Sequence, residues 1–374
     1  MSFLSDSTTC QNRPTPNFLV VGGGGSRESN EIALEKNLLY FQRTLRTFGY
    51  NPAEAIVFFA NGNDGGATIR YIDRLGQQHF KSPEIPHLRG GATGENLDRW
   101  FGEMASTASR RPLFFYFTGH GLPQSLILWG HESFTVADLS RQLDRLPRET
   151  PVVLMMAQCY SGSFADFIYQ GGDRARPLSP QTRCGFFATV ASRPSVGCTP
   201  LIDEADYRDY SSSFFAGLSG VTRTGQSVPS ADYNGDGRVS YAEAHGFAKV
   251  DEQTMDWPIS TSEAWLQNRA TEADRDRIFG GAIATLLSTA RPEQEYVVNS
   301  IVSQFNFDRQ ASLVENLSTL PESEVSDRVQ AAYLMRLQME LVNIGMEAKL
   351  RAAGDAGAIA TLDRLLNCES GSWQ

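Results

Sequence analysis

Long hydrophobic runs alternate with amphipathic segments over the first 220 residues of the chain. Runs that are apolar at consecutive positions predict strands buried on both faces, and they span residues 17–25, 55–62, 112–121, 151–159 and 184–192. Segments with apolar residues every three or four positions predict helices, and they span residues 30–50, 93–106, 135–146 and 210–220, with a further helix from about residue 163. Strands that alternate with helices predict an α/β fold, in which helices cover both faces of a mostly parallel central sheet.

The pattern changes at Pro292, after which the sequence predicts helices and no strands. The longest of these helices has an apolar face that begins with Val325 and Val329. The sequence therefore predicts three parts, which are an N-terminal extension (1–16), an α/β domain (17–291) and a C-terminal all-helical region (292–374).

Composition and charge exclude several classes of protein. The 374-residue chain has a net charge of −10 and no block of Lys and Arg, so we expect no nucleic-acid partner. Its apolar runs are shorter than the ~18 residues of a membrane span, and no signal peptide is visible at its N-terminus. The five cysteines are an odd number without a C-x-x-C pair, which predicts neither a disulfide framework nor a structural zinc site.

Two strand ends carry candidate catalytic residues. His120 follows the strand "FFYFTG", and Cys159 follows the strand "VVLMMAQ". Because ligands bind at the carboxyl ends of the strands in open parallel sheets, both side chains are expected at the same edge. Cys159 also precedes a predicted helix, whose positive N-terminal end favours the thiolate form of a cysteine. A thiol and an imidazole in this arrangement can perform nucleophilic catalysis.

The motifs "FFYFTGHG" and "CYSGSF" resemble those of the cysteine peptidases that include caspases, metacaspases, gingipains, clostripain and legumain, and they are most similar to legumain. The resemblance covers about residues 17–220. It implies a caspase-hemoglobinase-like three-layer sandwich and a cysteine endopeptidase that acts on protein or peptide substrates. Carried over to this chain, it makes Cys159 the nucleophile and His120 the general acid, while the backbone N–H groups of Gly121 and Cys159 form the oxyanion hole.

The resemblance also implies a substrate pocket near Glu31, Ser192 and Asp209. The arginine that legumain-like enzymes use to bind asparagine is absent from residues 30–33, and Ala157 replaces their acidic residue before the nucleophile. Two acids without a compensating arginine predict a preference for Arg or Lys before the scissile bond. Specificity for Asn or Asp is the open alternative.

A calcium-binding loop is predicted at residues 232–243, because "DYNGDGRVSYAE" matches the twelve-residue EF-hand loop. Gly237 makes its sharp turn. The predicted ligands are Asp232, Asn234, Asp236, the carbonyl group of Arg238, Ser240 and Glu243. No helix is predicted before the loop, so we expect a single structural or activity-gating site. A weak calcium site slightly favours a periplasmic or secreted protein.

Other functions remain compatible with the sequence. The same thioester opened by an amine would make the protein a transamidase or ligase, and a catalytically silent calcium-binding interaction module is a further alternative. The exposed loop 170–183, with Arg174, Arg176 and Arg183, is a candidate site of self-cleavage. Since the helical tail of legumain-like zymogens covers the active site, residues 292–374 are expected to dock either there or on a partner.

Overall fold

The structure, a computed structural model, describes residues 15–107, 110–321 and 326–374. Nearly all of the predicted N-terminal extension and Val325 lie outside these residues. The strands are β1 (Asn17–Gly23), β2 (Ile56–Phe59), β3 (Ile69–Ile72), β4 (Gln78–Lys81), β5 (Leu88–Gly90), β6 (Leu113–Leu122), β7 (Ser125–Ile127), β8 (Ser133–Thr135), β9 (Val152–Met156), β10 (Arg183–Phe187) and β11 (Ile259–Ser260). The α-helices are α1 (Ile32–Thr47), α2 (Gly94–Ser106), α3 (Val136–Leu143), α4 (Tyr210–Ser219), α5 (Tyr241–Asp251), α6 (Thr261–Gln267), α7 (Glu272–Gly280), α8 (Ile283–Leu287), α9 (Pro292–Gln304), α10 (Leu313–Ser318), α11 (Arg328–Ala353) and α12 (Ala356–Glu369).

A nine-stranded, mostly parallel sheet forms the centre of the molecule. Its strand order is β11-β10-β9-β6-β1-β2-β5, and β7 and β8 extend it from the end of β6. Neighbouring strands are parallel along the series β10, β9, β6, β1, β2 and β5, whereas β11 is antiparallel to β10. Strands β3 and β4 form a separate antiparallel ribbon. The predicted α/β class with a mostly parallel sheet is therefore confirmed.

Residues at alternate positions of the strands contribute their side chains to two hydrophobic cores, one on each face of the sheet. Phe114 and Tyr116 of β6 belong to the core that α1, α4 and α5 cover. Phe115 and Phe117 belong to the other core, which α2, α3, α6, α9 and α11 cover. Both faces of β6 are buried, which explains why its sequence is apolar at consecutive positions.

The prediction of an α-helix after Cys159 is wrong. The segment Ser161–Ile168 is a 3₁₀ helix, and Tyr160 before it has a left-handed backbone with φ of 57°. The hydrophobic pattern does not predict strands β3, β4, β5, β7, β8 and β11, because none of them contains a run of three or more consecutive apolar residues. In contrast, α2 begins after Thr93, whose side chain accepts a hydrogen bond from the N–H of Asn96, and its predicted cap is confirmed.

The C-terminal segment docks at the amino ends of the central strands. Cys368 of α12 forms a disulfide bond with Cys184 of β10, and Trp373 packs edge-on against Phe18 and Phe114. Cys184, Phe18 and Phe114 are each the second residue of their strand. This end of the sheet is on the order of 20 Å from the carboxyl ends, at about 3.3 Å per residue. The predicted alternative, in which the tail covers His120 and Cys159, is therefore contradicted for this segment.

Helix α11 is anchored by a fully buried arginine. The guanidinium of Arg336 donates hydrogen bonds to the carbonyl oxygens of Lys249, Glu252, Thr254 and Asp256 at 2.7–3.0 Å. These carbonyls belong to the end of α5 and the loop after it, so the C-terminal region determines the course of that loop. Within the described residues no helix has the length and apolar character that a membrane crossing requires.

We expect the disulfide bond to stabilise the whole fold, because it joins residues separated by 184 positions in the sequence. Replacing Cys184 and Cys368 together by alanine should lower the free energy of unfolding by about 2–5 kcal/mol. Denaturant unfolding without reductant measures this difference. Dithiothreitol should destabilise the wild type and leave the double variant unchanged, and equal stability of the two proteins without reductant would contradict the expectation.

Candidate active site

The two motifs that carry His120 and Cys159 meet at the carboxyl edge of the sheet. Strands β6 and β9 are parallel neighbours in which Phe117 pairs with Met156, and His120 and Cys159 follow these residues at the same distance along the chain. Gly121 packs so closely that a Cβ atom there would lie 2.5 Å from the carbonyl oxygen of Cys159. A larger residue at this position would push the two strand ends apart. Glycine after the histidine is therefore a steric requirement of the site.

His120 is held by the loop between β1 and α1. Its Nε2 lies 2.9 Å from the carbonyl oxygen of Ser29 and 3.0 Å from Oε2 of Glu31. The other carboxylate oxygen of Glu31 accepts a hydrogen bond of 2.7 Å from Arg70 on β3. A relay of arginine, glutamate and histidine thus fixes the imidazole ring, as carboxylates orient the histidine in other acid–base sites.

The relay favours the charged form of both partners. Contacts with Cys198 and Glu31 raise the pKa of His120 to about 11, against an opposing effect of burial. Burial tends to raise the pKa of Glu31, but its hydrogen bonds with His120 and Arg70 outweigh this effect and lower the pKa. At neutral pH the site therefore holds an imidazolium next to the carboxylate of Glu31.

Cys159 is a partly exposed free cysteine. Its Sγ lies 3.4 Å from the backbone nitrogen of Ser195 and 3.4 Å from the carbonyl oxygen of the same residue. The predicted helix N-terminus is replaced here by the 3₁₀ segment, and the N–H of Ser195 is the group that donates toward the sulfur. The thiol of Cys159 in turn donates to the carbonyl oxygen of Ser195, so both backbone groups of this residue contact the sulfur.

The loop that carries Ser195 is fixed from two sides. Arg193 stacks on the ring of Trp257 with its guanidinium carbon 3.8 Å from the ring centroid, and its carbonyl oxygen accepts a hydrogen bond from the N–H of Tyr160. The N–H of Val196 donates to the carboxylate of Asp256 at 3.1 Å. Asp256 in turn belongs to the loop that Arg336 holds.

A second cysteine lies against His120, and sequence reasoning missed it. Cys198 is free and partly exposed, and its Sγ lies 3.8 Å from the carbonyl oxygen of Gly119. Burial raises the pKa of the Cys198 thiol. No motif surrounds Cys198 in the sequence. The one sequence feature that could have pointed to it is its position in the loop after a central strand.

The three predicted pocket residues have different surroundings. Ser192 is exposed. Asp209 is buried, caps the N-terminus of α4 and lies 3.7 Å from Arg223. The prediction that arginine does not compensate the acids is wrong, because Arg70 pairs with Glu31 and Arg223 lies beside Asp209. The inference of a preference for basic residues loses its basis.

The loop 170–183 is less exposed than predicted. Arg174 and Arg176 are exposed, but Arg183 is the buried first residue of β10 and pairs with Asp144 at 2.5 Å. Arg183 also donates a hydrogen bond to the carbonyl oxygen of Phe167 at 2.8 Å. A protease cannot reach a residue in this position without local unfolding, so Arg183 is excluded as a self-cleavage site in the folded chain.

The predicted calcium loop has the backbone turns of its motif. Asp232 accepts hydrogen bonds from the N–H groups of Asp236 and Gly237, and Asn234 accepts one from Asp236. Gly237 has φ of 84°, which suits the sharp turn. The backbone N–H of Arg238 donates a hydrogen bond to the carboxylate of Asp236, and Ser240 caps the N-terminus of α5.

Glu243 is turned into the loop. Its carboxylate accepts hydrogen bonds from the N–H groups of Tyr233, Asn234 and Ser240 and from the Ser240 hydroxyl, at 2.8–3.1 Å. Among the described residues, the carboxylates of Asp232, Asp236 and Glu243 do not form a group with oxygens within 4.8 Å of one another. The set of oxygen donors fits calcium chemically, but Glu243 must exchange its present partners to complete the site.

No protein-family model matches the chain, and no curated protein matches it.

We expect Glu31 to hold His120 in the imidazolium form. Glu31→Gln keeps the shape of the side chain and removes the negative charge beside the ring, so the pKa of His120 should fall. NMR titration of the His120 ring measures this pKa. Glu28→Gln, an exposed acid in the same loop, is the matched control, and equal pKa values of His120 in the two variants would contradict the role of Glu31.

Proposed function

We propose that the protein is a cysteine endopeptidase of the caspase and legumain type, with a caspase-hemoglobinase-like fold. The observation that carries the proposal is the meeting of the His-Gly and Gln-Cys strand ends, together with the relay of Arg70, Glu31 and His120 behind the histidine. Residues 17–291 would form the peptidase domain, with residues 292–374 supporting it.

In the first chemical step the Cys159 thiolate attacks the carbonyl carbon of the scissile peptide bond. The developing oxyanion is stabilised by the backbone N–H groups of Gly121 and Cys159. The C–N bond then breaks, and the imidazolium of His120 gives its proton to the leaving amine. This step leaves a thioester on Cys159 and a neutral imidazole.

In the second step water opens the thioester. The neutral His120 accepts a proton from the water as its oxygen attacks the acyl carbon, and the C–S bond breaks to return the Cys159 thiolate and a carboxylic acid. Glu31 keeps the imidazole oriented in both steps. An amine in place of water would give a new amide, which is the reaction of the transamidase or ligase alternative.

We also propose an oxidising compartment, the periplasm or the extracellular space. The disulfide bond between Cys184 and Cys368 supports this location, because such bonds persist mainly outside the reducing cytosol.

A further proposal concerns calcium at residues 232–243. The supporting observation is the set of turns made by Asp232, Asn234 and Asp236, which direct carboxylate and amide oxygens into one loop. The Arg238 carbonyl, Ser240 and Glu243 would complete the oxygen ligands that calcium prefers. Bound calcium would supply a fixed positive charge that joins the loop to the start of α5. A structural role follows, because α5 packs on α4 and α9.

We expect a mechanism-based test to label Cys159. A peptidyl acyloxymethyl ketone should alkylate the Cys159 sulfur, and peptide mass mapping should find the label there and not on Cys198. Cys159→Ala should lower cleavage of a mixed peptide library by about 10⁴-fold or more, as removal of other catalytic nucleophiles does. Product masses with an added amine distinguish hydrolysis from transamidation. Full activity of Cys159→Ala, or a label confined to Cys198, would contradict the assignment.

Calcium should stabilise the fold through the loop. At 100 times its dissociation constant, calcium should add about 2.7 kcal/mol to the free energy of unfolding. Thermal unfolding with calcium or with EDTA measures the effect. Asp232→Asn combined with Glu243→Gln should abolish the shift, whereas Glu272→Gln, an exposed acid at the start of α7, should keep it. An unchanged melting temperature at millimolar calcium in the wild type would contradict the proposal.

A further inference from the structure

Three groups able to bind a metal converge beside the catalytic histidine. A carboxylate oxygen of Glu31, a ring nitrogen of His120 and Sγ of Cys198 all lie within 4.8 Å of one another. Within residues 15–107, 110–321 and 326–374, no other group of three histidine, cysteine or acidic side chains meets this distance. The thiol of Cys198 has no task in the peptidase chemistry above, although it lies next to the residue that moves the proton.

The three side chains come from separate fixed parts of the fold. Glu31 lies directly before α1, His120 at the end of β6, and Cys198 in the loop that Asp256 and Trp257 hold. Arg70 binds Oε1 of Glu31 and leaves Oε2 directed at His120, at 3.0 Å. The group is therefore assembled before any ion binds, so binding requires little ordering of flexible chain.

The spacing suits a small four-coordinate ion. Bonds of about 2.0–2.3 Å to oxygen, nitrogen and sulfur place tetrahedral ligands on the order of 3.5 Å apart. A separation below 4.8 Å is within the reach of rotamer adjustments from this geometry. With three protein ligands the fourth position stays open to water.

The mixture of donors selects the kind of ion. A thiolate and an imidazole bind Zn²⁺ and related transition-metal ions, whereas Ca²⁺ and Mg²⁺ prefer oxygen ligands. The thiolate and the carboxylate each carry one negative charge, so together they balance the two positive charges of the ion. The imidazole binds as a neutral ligand. The site thus differs in chemistry from the oxygen-lined loop at residues 232–243.

We propose that Glu31, His120 and Cys198 bind Zn²⁺ or a similar transition-metal ion, and that this ion inhibits the peptidase. On binding, the thiol of Cys198 and the imidazolium of His120 each release a proton to solvent. The metal then takes the place of the proton on Nε2, the ring nitrogen that faces Glu31, so His120 is a neutral ligand and lacks the imidazolium charge that makes its other ring nitrogen a proton donor. The binding claim stands on the three side chains alone, whereas the inhibitory claim rests on the proposed peptidase function.

Cobalt provides a test of binding that does not depend on activity. Titrating the full-length protein with Co²⁺ should give visible d–d bands of a tetrahedral ion and a near-ultraviolet band from thiolate-to-cobalt charge transfer. Zn²⁺ should displace the cobalt and remove both. Cys198→Ser should abolish the charge-transfer band and weaken Co²⁺ binding by at least about 10–100-fold, the loss known for changes of supporting residues around metals. Cys159→Ser, the matched cysteine control, should retain the band.

Two results would overturn the metal site. One is the absence of a charge-transfer band in the wild type, and the other is a band that Cys159→Ser removes and Cys198→Ser retains. If Cys198→Ser does not fold, alkylation of the wild type by iodoacetamide replaces it. Protection of Cys198 by Zn²⁺, read by peptide mass mapping, supports the site, and equal alkylation with and without Zn²⁺ contradicts it.

The inhibitory claim is tested separately on the wild type. Micromolar Zn²⁺ should suppress peptide cleavage, and a chelator should restore it. Cobalt bands in a protein that cleaves no peptide would refute the peptidase and leave the metal site standing. Cleavage that Zn²⁺ does not affect, in a protein that shows the cobalt bands, would refute inhibition alone.

Discussion

The close approach of Gly121 to the carbonyl group of Cys159 is the constraint on which the site depends. It is possible because β6 and β9 are parallel neighbours, so that their carboxyl ends reach the same edge of the sheet. A Cβ atom at Gly121 would lie 2.5 Å from the Cys159 oxygen, which leaves no room for another residue. The histidine and the cysteine are thus brought together by backbone geometry, and their side chains need only local partners to hold them. Ser29, Glu31 and Ser195 supply those partners.

Support for the site extends to the C-terminal helices. Arg336 on α11 binds the carbonyl oxygen of Asp256, and the carboxylate of Asp256 binds the N–H of Val196. The neighbouring Ser195 donates toward the sulfur of Cys159. These hydrogen bonds therefore connect helix α11 to the loop that contacts the candidate nucleophile. The last helix, which the sequence suggested as part of a cover for the active site, instead lies at the other end of the sheet, and α11 supports the loop around the cysteine.

Much of this arrangement follows from local patterns, and the remainder depends on contacts that a pattern does not contain. The strand before His120 and the strand before Cys159 are predictable because consecutive apolar residues require burial on both faces. The partners of Glu31 are different, because Arg70 lies on a short ribbon whose strands have no distinctive periodicity. The predicted acidic pocket failed for this reason. Cys198 likewise meets His120 through a loop, and only the three-dimensional course of that loop reveals the contact.

We propose that Cys159, and not Cys198, forms the covalent bond with the substrate. The most direct test is a crystal structure of the protein with an aldehyde derived from its best-cleaved peptide. We predict a bond between Cys159 Sγ and the aldehyde carbon, with the resulting oxygen facing the backbone N–H of Gly121. An adduct on Cys198, or an aldehyde bound without a bond to Cys159, would contradict the account.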